Sequence, residues 1–272
     1  MDTIGFIGAG NMAEALIKGV INAGVYKPKH ILINDIQADR LALLTRQYGV
    51  QTVANSAALA NKVDILILSV KPQNMTEALQ AIKGTVKHST LIISIAAGIR
   101  VAKIACALGD IPIIRVMPNT PALIGEGASA LFANSKARPM MDGAMKIFSA
   151  VGRTVIVDNE DLFDAVTAVS GSGPAYFFLL MEEMIRAGHD LGLPAEIARI
   201  LVLQTAKGAA MLAAERDKFG ESPSELRRKV TSPGGTTEAA LKVFTAREFG
   251  QIVEQALRAA RDRSRELSGG ST

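Results

Sequence analysis

Two stretches of this 272-residue chain combine residue types at spacings that could do chemistry. Gly8-Ala9-Gly10-Asn11-Met12-Ala13 has the G-x-G-x-x-A form of a dinucleotide-binding turn. The first glycine allows the tight bend, the second leaves no side chain where a pyrophosphate approaches the backbone, and the alanine lets helix and strand pack closely. A helix opening there presents N–H groups and a partial positive charge to the phosphates. Any tight strand-to-helix turn also favours glycine, so the motif gains its weight from the apolar run Thr3-Ile4-Gly5-Phe6-Ile7 just before it. The second stretch, Thr231-Ser232-Pro233-Gly234-Gly235-Thr236-Thr237, offers three threonines, one serine and two glycine amides before a helix expected to start at Glu238. Hydroxyls and N–H groups converging at a helix start could receive a carboxylate without a charged side chain. A simple Ser/Thr cap accounts for one of those hydroxyls but not for the set.

Further candidates follow strands. Asn34-Asp35 ends the strand Ile31-Leu32-Ile33, and Asp35 could bond the adenosine ribose hydroxyls, which leans toward NADH. Arg40 with Asn55-Ser56 could still surround a 2′-phosphate, and an aspartate that merely caps the next helix is an equally open reading. Val70 ends the run Ile65-Leu66-Ile67-Leu68-Ser69-Val70 and Lys71-Pro72 follow it at once, while Ala96, Ala97 and Gly98 follow Leu91-Ile92-Ile93-Ser94. Ligands of parallel sheets lie at the carboxyl ends of strands, where both trios stand. Met117-Pro118-Asn119-Thr120-Pro121 is either a rigid connector or a wall of the nicotinamide site. Ser170-Gly171-Ser172-Gly173-Pro174-Ala175 is either a packed helix junction or a ligand contact.

The elements that must position these residues fall into two halves. Up to Asp158, apolar β-rich runs alternate with helical patterns, giving about eight strands of an α/β domain whose strand order pattern alone does not fix. Beyond it only helical periodicity appears, over residues 161–169, 176–191, 195–219, 225–230, 238–244 and 248–267. The expected division is 1–158 for a Rossmann-like dinucleotide-binding domain and 159–272 for an all-α domain. Leu201, Val202, Leu203, Ala206, Ala209, Ala210, Met211 and Ala213 cannot all face the inside of so small a bundle, and a second copy of the chain is the expected cover.

Composition narrows the classes. A 49% hydrophobic content is enough for a large core, and one cysteine with three scattered histidines makes a disulfide framework or a metal site an unpromising reading. The net charge of +4 is dispersed among 26 acids with 4% aromatics, which reads as solvated helix faces and not as a nucleic-acid surface. Asp2 stands where a basic leader would begin, and the apolar residues 175–181 run into Glu182-Glu183 well short of a bilayer span; the expectation is a cytoplasmic protein outside the membrane.

With these residues assembled, the chain resembles the Δ1-pyrroline-5-carboxylate reductases over nearly its whole length. The resemblance is carried by Phe6-Ile7-Gly8-Ala9-Gly10-Asn11-Met12, Val70-Lys71-Pro72, Ala96-Ala97-Gly98, Asn119-Thr120-Pro121, Ser170-Gly171-Ser172-Gly173-Pro174-Ala175-Tyr176 and, most specifically, residues 226–244 around the 231–237 loop. It implies a Rossmann domain, a helical dimerisation domain and a homodimer, with further assembly into a decamer open. It implies that NADPH or NADH reduces the pyrroline C=N to give L-proline, the last step of proline biosynthesis. By matching motifs, Ile7, Gly8, Ala9, Gly10, Asn11, Met12, Val70, Lys71, Pro72, Ala96, Ala97 and Gly98 would hold the cofactor. Ser232, Gly235, Thr236 and Thr237 would hold the substrate carboxylate and ring nitrogen, and Glu160 matches a substrate-side position. Asp35 and Lys229 stand where some relatives carry small polar residues near the cofactor, which leaves NADPH against NADH open.

The residues suit that chemistry. Hydride transfer to a C=N needs donor and acceptor carbons held about 3–3.5 Å apart, and positioning supplies much of the rate. A protonated cyclic imine is already electrophilic, so neither a catalytic triad nor a metal is required. The Thr237 hydroxyl is the expected catalytic contact to the ring nitrogen. A β-hydroxyacid dehydrogenase would want a lysine base on the first long helix of the second half, and residues 161–180 hold none. A non-catalytic dinucleotide sensor would bind nucleotide without turnover.

Overall fold

The computed structural model describes residues 3–269, so the reading of Asp2 lies outside the described residues. Two compact units emerge: Met1–Pro174 with Ala259–Thr272, and Ala175–Arg258.

The first unit is built on an eight-stranded sheet in the order β3-β2-β1-β4-β5-β6-β7-β8. Its strands are β1 (Ile4–Ile7), β2 (Ile31–Asn34), β3 (Gln51–Thr52), β4 (Ile65–Leu68), β5 (Leu91–Ser94), β6 (Ile113–Met117), β7 (Gly127–Ala133) and β8 (Gly152–Ile156). All neighbours run parallel except β6 and β7. Parallel strands need long crossovers, and these are supplied by α1 (Asn11–Asn22), α2 (Ala38–Tyr48), α3 (Ser56–Lys62), α4 (Met75–Ile82) and α5 (Val101–Leu108). After β7 comes α6 (Met141–Ser149).

Helices cover both faces, which is why Ile65, Leu66, Ile67 and Leu68 are all buried in an unbroken apolar run. On one face Ile4 and Phe6 pack with Leu16, Ile17 and Val20 of α1 and with Ile147 and Phe148 of α6. On the other, Ile7, Leu32 and Leu66 pack with Leu59, Leu79 and Ile104. The chain winds outward from β1 in both directions, so β1 and β4 flank the point where the strand order reverses, the place where ligands bind in such sheets.

Past β8 the same unit continues through α7 (Phe163–Val166), a π-helical turn at Thr167–Gly171 and the first residues of α8 (Gly173–Asp190). The glycine-rich 170–175 stretch is therefore a change of helical pitch, with Pro174 in the first turn of α8, where a missing N–H costs no hydrogen bond. The last turns of α12 (Phe249–Leu267) also belong to this unit, where Ser264 donates to the buried Asp164 carboxylate at 2.7 Å.

The second unit contains the rest of α8, then α9 (Ala195–Asp217), α10 (Pro223–Lys229), α11 (Thr236–Ala246) and the start of α12. Ser222 and Glu225 form a reciprocal capping box that starts α10. Phe244 and Phe249 meet edge to face at 5.3 Å across the turn between α11 and α12, where Glu248 takes a left-handed φ of 54°. Of α9 only Ala198 and Val202 are buried, while Leu201, Leu203, Met211 and Leu212 stand exposed.

Candidate active site

The phosphate turn is built by geometry that only glycine satisfies. Gly8 has φ +97°, and a Cβ there would lie 2.7 Å from the Ser69 carbonyl oxygen. Its N–H donates to the Asn34 carbonyl at 2.9 Å, and its own carbonyl accepts from the Ser69 hydroxyl at 2.7 Å. Gly8 is thus wedged between the ends of β2 and β4. Gly10 is the opposite case: its φ is −71°, and a Cβ there would meet nothing within 4 Å. The space beside Gly10 lies open at the start of α1, and no side chain caps that helix. An open, uncapped helix N-terminus at the reversal point of a parallel sheet fits a pyrophosphate.

The Ala9 peptide is held from both sides. Its N–H donates to Asp35 Oδ2 at 2.5 Å, and its carbonyl accepts from Arg40 Nε at 2.9 Å. Asp35 Oδ1 also accepts from the Gln37 N–H at 2.8 Å. Arg40 continues to Glu14 at 2.7 Å, and the Tyr48 hydroxyl donates to the same carboxylate at 3.2 Å. Burial, and then the neighbouring Glu14 charge, push the Tyr48 phenol up. Arg40 and Asp35 therefore turn toward the backbone. Ser56 and Asn34 bond each other at 2.8 Å, and Asn55 caps α3.

Parallel pairing brings the remaining cofactor candidates to the same sheet edge. Ile7, Gly8, Ala9, Gly10, Asn11 and Met12 leave β1; Val70, Lys71 and Pro72 leave the adjacent β4; Ala96, Ala97 and Gly98 leave β5 beyond it. Lys71 and Pro72 are exposed, Val70 is half-buried and Ala96 is buried. Gly98, at φ +71°, faces the backbone of Leu267 at the end of α12, 3.4 Å from where its Cβ would stand. Asn119 donates to the Ser170 carbonyl at 3.2 Å and accepts from the Ala128 N–H at 2.8 Å, so the 117–121 turn is a staple between β7 and the π-helical turn.

Glu160 is committed to an internal network. Its Oε1 accepts from the Val101 N–H that opens α5, at 2.8 Å, and pairs with Arg115 at 3.0 Å. Arg115 comes from β6, is 2% exposed, and stacks its guanidinium 4.5 Å from the Phe163 ring centroid. Desolvation pulls the Arg115 pKa down, against which the Glu160 bond pushes it back up. Beside it, Arg100 and Asp161 form a more exposed pair at 2.8 Å.

In the second unit, α11 begins at Thr236, ahead of the Glu238 start read from the sequence, so Thr236 and Thr237 occupy its first turn. The two glycine amides are engaged: the Gly234 N–H donates to Glu238 Oε2 at 2.8 Å and the Gly235 N–H to the Ser232 carbonyl at 3.0 Å. The Thr231 hydroxyl donates to the Arg227 carbonyl at 2.6 Å. What the loop leaves for an anion is the start of α11, whose N-cap Gly235 receives no side-chain hydrogen bond, with Ser232 just before that helix and Thr236 and Thr237 in its first turn. Ser232 and Thr236 are exposed and Thr237 half-buried. Lys229, on α10, pairs with Glu221.

Sequence reasoning missed Ser69, Arg115 and the Asp164–Ser264 bond. Ser69 had a signal, since it is the one polar residue in the run from Ile65 to Val70. Arg115 had one too, as a lone charge inside Ile113-Ile114-Arg115-Val116. The Asp164–Ser264 bond joins residues too distant in sequence for any local pattern to couple them.

Known proteins resemble the chain throughout. A family model described as pyrroline-5-carboxylate reductase dimerisation matches residues 160–267, and one described as NADP oxidoreductase coenzyme F420-dependent matches residues 3–98. The pyrroline-5-carboxylate reductase of Pseudomonas aeruginosa is 48% identical over 267 residues, 97% of this chain and 96% of that one. The solved pyrroline-5-carboxylate reductase of Coxiella burnetii superposes with a TM-score of 0.92 at 38% identity, covering 100% of this chain and 99% of that one. The Plasmodium falciparum pyrroline carboxylate reductase, solved with NADP bound, gives a TM-score of 0.86 at 31% identity over 98% of each chain. An α/β dinucleotide fold with an open phosphate turn, followed by a helical dimerisation segment and matched end to end at nearly half identity, belongs to the pyrroline-5-carboxylate reductase family.

Proposed function

We infer that this chain reduces Δ1-pyrroline-5-carboxylate to L-proline with NADPH or NADH, as the last step of proline biosynthesis. The observation that carries the reading is identity to named reductases along nearly the full length of both chains. Bound reduced nicotinamide supplies the hydride. The chain's own residues orient and exclude, which is the usual division of labour in cofactor enzymes. Gly8, Gly10, Asn11 and Met12 receive the pyrophosphate at the start of α1, while Val70, Lys71, Pro72, Ala96, Ala97 and Gly98 line the same sheet edge. Ser232, Thr236 and Thr237 hold the substrate at the start of α11, where the helix's partial positive charge favours a carboxylate, and Gly235 serves as the N-cap of that helix. The Thr237 hydroxyl donates to the ring nitrogen as it becomes an amine. Glu160 acts within the first unit, by fixing Arg115 and the first amide of α5.

We read residues 1–158 as the dinucleotide domain and 159–272 as the substrate and dimerisation domain; the family match that starts at residue 160 supports this division, whereas the compact units divide after Pro174 and return the last helical turns to the first unit. Helix Ala195–Asp217 is long and apolar enough to cross a membrane by length and composition. Glu196, Arg199, Lys207, Glu215 and Arg216 along it, and its place in the dimerisation segment, support a covering partner subunit instead. Assembly of dimers into a decamer and a cytoplasmic location go with the same reading; sedimentation and cell fractionation test them.

The test of the activity is to mix purified protein with the cyclic imine and either reduced nicotinamide, following nicotinamide absorbance and proline formed. Equimolar loss of one and gain of the other is expected, and no consumption refutes the assignment.

A further inference from the structure

We propose that Asp35 and Arg40 form a latch that sets the phosphate turn, and that Asp35 does not discriminate between the two nicotinamide cofactors. This rests on the cofactor reading above. An acidic residue after the second strand of a dinucleotide fold ordinarily reads the ribose 2′-hydroxyl, which disfavours a 2′-phosphate. In this chain the Asp35 carboxylate points back into the glycine turn. One oxygen accepts the Ala9 N–H at 2.5 Å and the other the Gln37 N–H at 2.8 Å. Each is a charge-assisted bond, the stronger class of hydrogen bond.

The other end of the same residue is held as firmly. Arg40 Nε donates to the Ala9 carbonyl at 2.9 Å, and its guanidinium is steadied by Glu14 at 2.7 Å. Glu14 is itself anchored by the Tyr48 hydroxyl at 3.2 Å. Ala9 therefore has an anion on its N–H and a cation on its carbonyl. It is the middle residue of Gly8-Ala9-Gly10, with Gly8 already at φ +97° and Gly10 flanked by open space. Of that tripeptide, Gly8 is fixed by β2 and β4 and Gly10 by helix α1, so Ala9 is where the turn could rotate. The latch removes that freedom before any phosphate arrives, which lowers the ordering cost of binding. Since the pyrophosphate is common to NADPH and NADH, loosening the latch weakens both alike.

The test measures dissociation constants of NADPH and NADH by nicotinamide fluorescence for wild type, Asp35→Ser and Arg40→Gln, with Tm and the KM and kcat for each cofactor alongside. The latch predicts that both constants rise together by about fivefold to thirtyfold in each variant, the equivalent of losing one or two such bonds. KM for each cofactor should follow while kcat at saturation stays near wild type, a split that a general loss of folding would not give. An Asp35→Ser enzyme whose NADH binding weakens while NADPH binding holds or tightens overturns the proposal, because Asp35 would then be reading the ribose. If Asp35→Ser fails to fold, Arg40→Gln decides alone: a change in the ratio of the two constants, or no change in either, refutes the latch. Wild-type protein that binds neither dinucleotide refutes the cofactor reading itself, a result distinct from all of these.

Discussion

Replacing Glu160 by Ala should cost more in stability than in substrate affinity. The carboxylate Oε1 accepts both the Val101 N–H and the Arg115 guanidinium, whose side chain is 3% exposed. Removing one partner of a buried pair typically costs about 3–5 kcal/mol, because the other charge remains without compensation. Two features put this case at the lower end. The Glu160 side chain keeps 16% exposure, so water can reach part of the space it leaves, and Arg115 retains the Phe163 ring at 4.5 Å, worth about 1 kcal/mol. We expect a loss of about 3 kcal/mol, or a Tm lower by about 6–12 °C for a domain of this size. Thermal and urea unfolding at fixed protein concentration measure it, since any dimer makes Tm depend on concentration. Arg115→Met in the Glu160→Ala background should recover most of the loss, because no buried charge is then left. A Tm within about 2 °C of wild type, together with a raised KM for the cyclic imine, would mean that Glu160 binds substrate directly.

Three other outcomes separate the parts of the account. Gly8→Ala should lower stability by about 1–3 kcal/mol, because an alanine at φ +97° presses on the Ser69 carbonyl, whereas Gly10→Ala should leave Tm near wild type and weaken both cofactors by about tenfold, as titration would show. Thr237→Ala should lower kcat/KM for the imine by roughly one to two orders of magnitude with cofactor affinity little changed; unaltered kinetics would remove that hydroxyl from the mechanism. The Ser222 N–H and hydroxyl hold the Glu225 carboxyl below the usual carboxylate range. Its capping contribution is therefore present above the unfolded carboxylate pKa and fades as pH falls through the lowered folded value, so wild type and Glu225→Gln should differ in Tm at neutral pH and converge once the pH drops beneath that lowered value.

The sheet was legible because its signal is local. Strands buried on both faces must be apolar throughout, and Ile65, Leu66, Ile67 and Leu68, or Leu91, Ile92 and Ile93, have no other comfortable home. The phosphate turn was legible because its geometry restricts residue type: only glycine accepts φ +97° against a carbonyl at Gly8. The 231–237 loop was recognisable by its composition, but its helix starts earlier and its glycine amides are turned inward, since the Glu238 side chain reaching back to the Gly234 N–H is a conformational choice that composition does not encode. Asp35 shows the same limit. Its identity admits a ribose contact, a phosphate repulsion or a cap, and only side-chain direction separates them. Arg115, Glu160 and Asp164 are polar residues whose partners come from distant parts of the chain, so no window of sequence reveals that they compensate one another.

The decisive measurement is a crystal of the enzyme grown with NADP and soaked with proline. The proline carboxylate is expected at the start of α11, on Ser232, Thr236 and the Thr237 amide, with the Thr237 hydroxyl on the ring nitrogen and the nicotinamide C4 about 3–3.5 Å from the ring carbon. Proline bound away from that loop, or bound with its ring carbon out of reach of the nicotinamide, would refute the assignment.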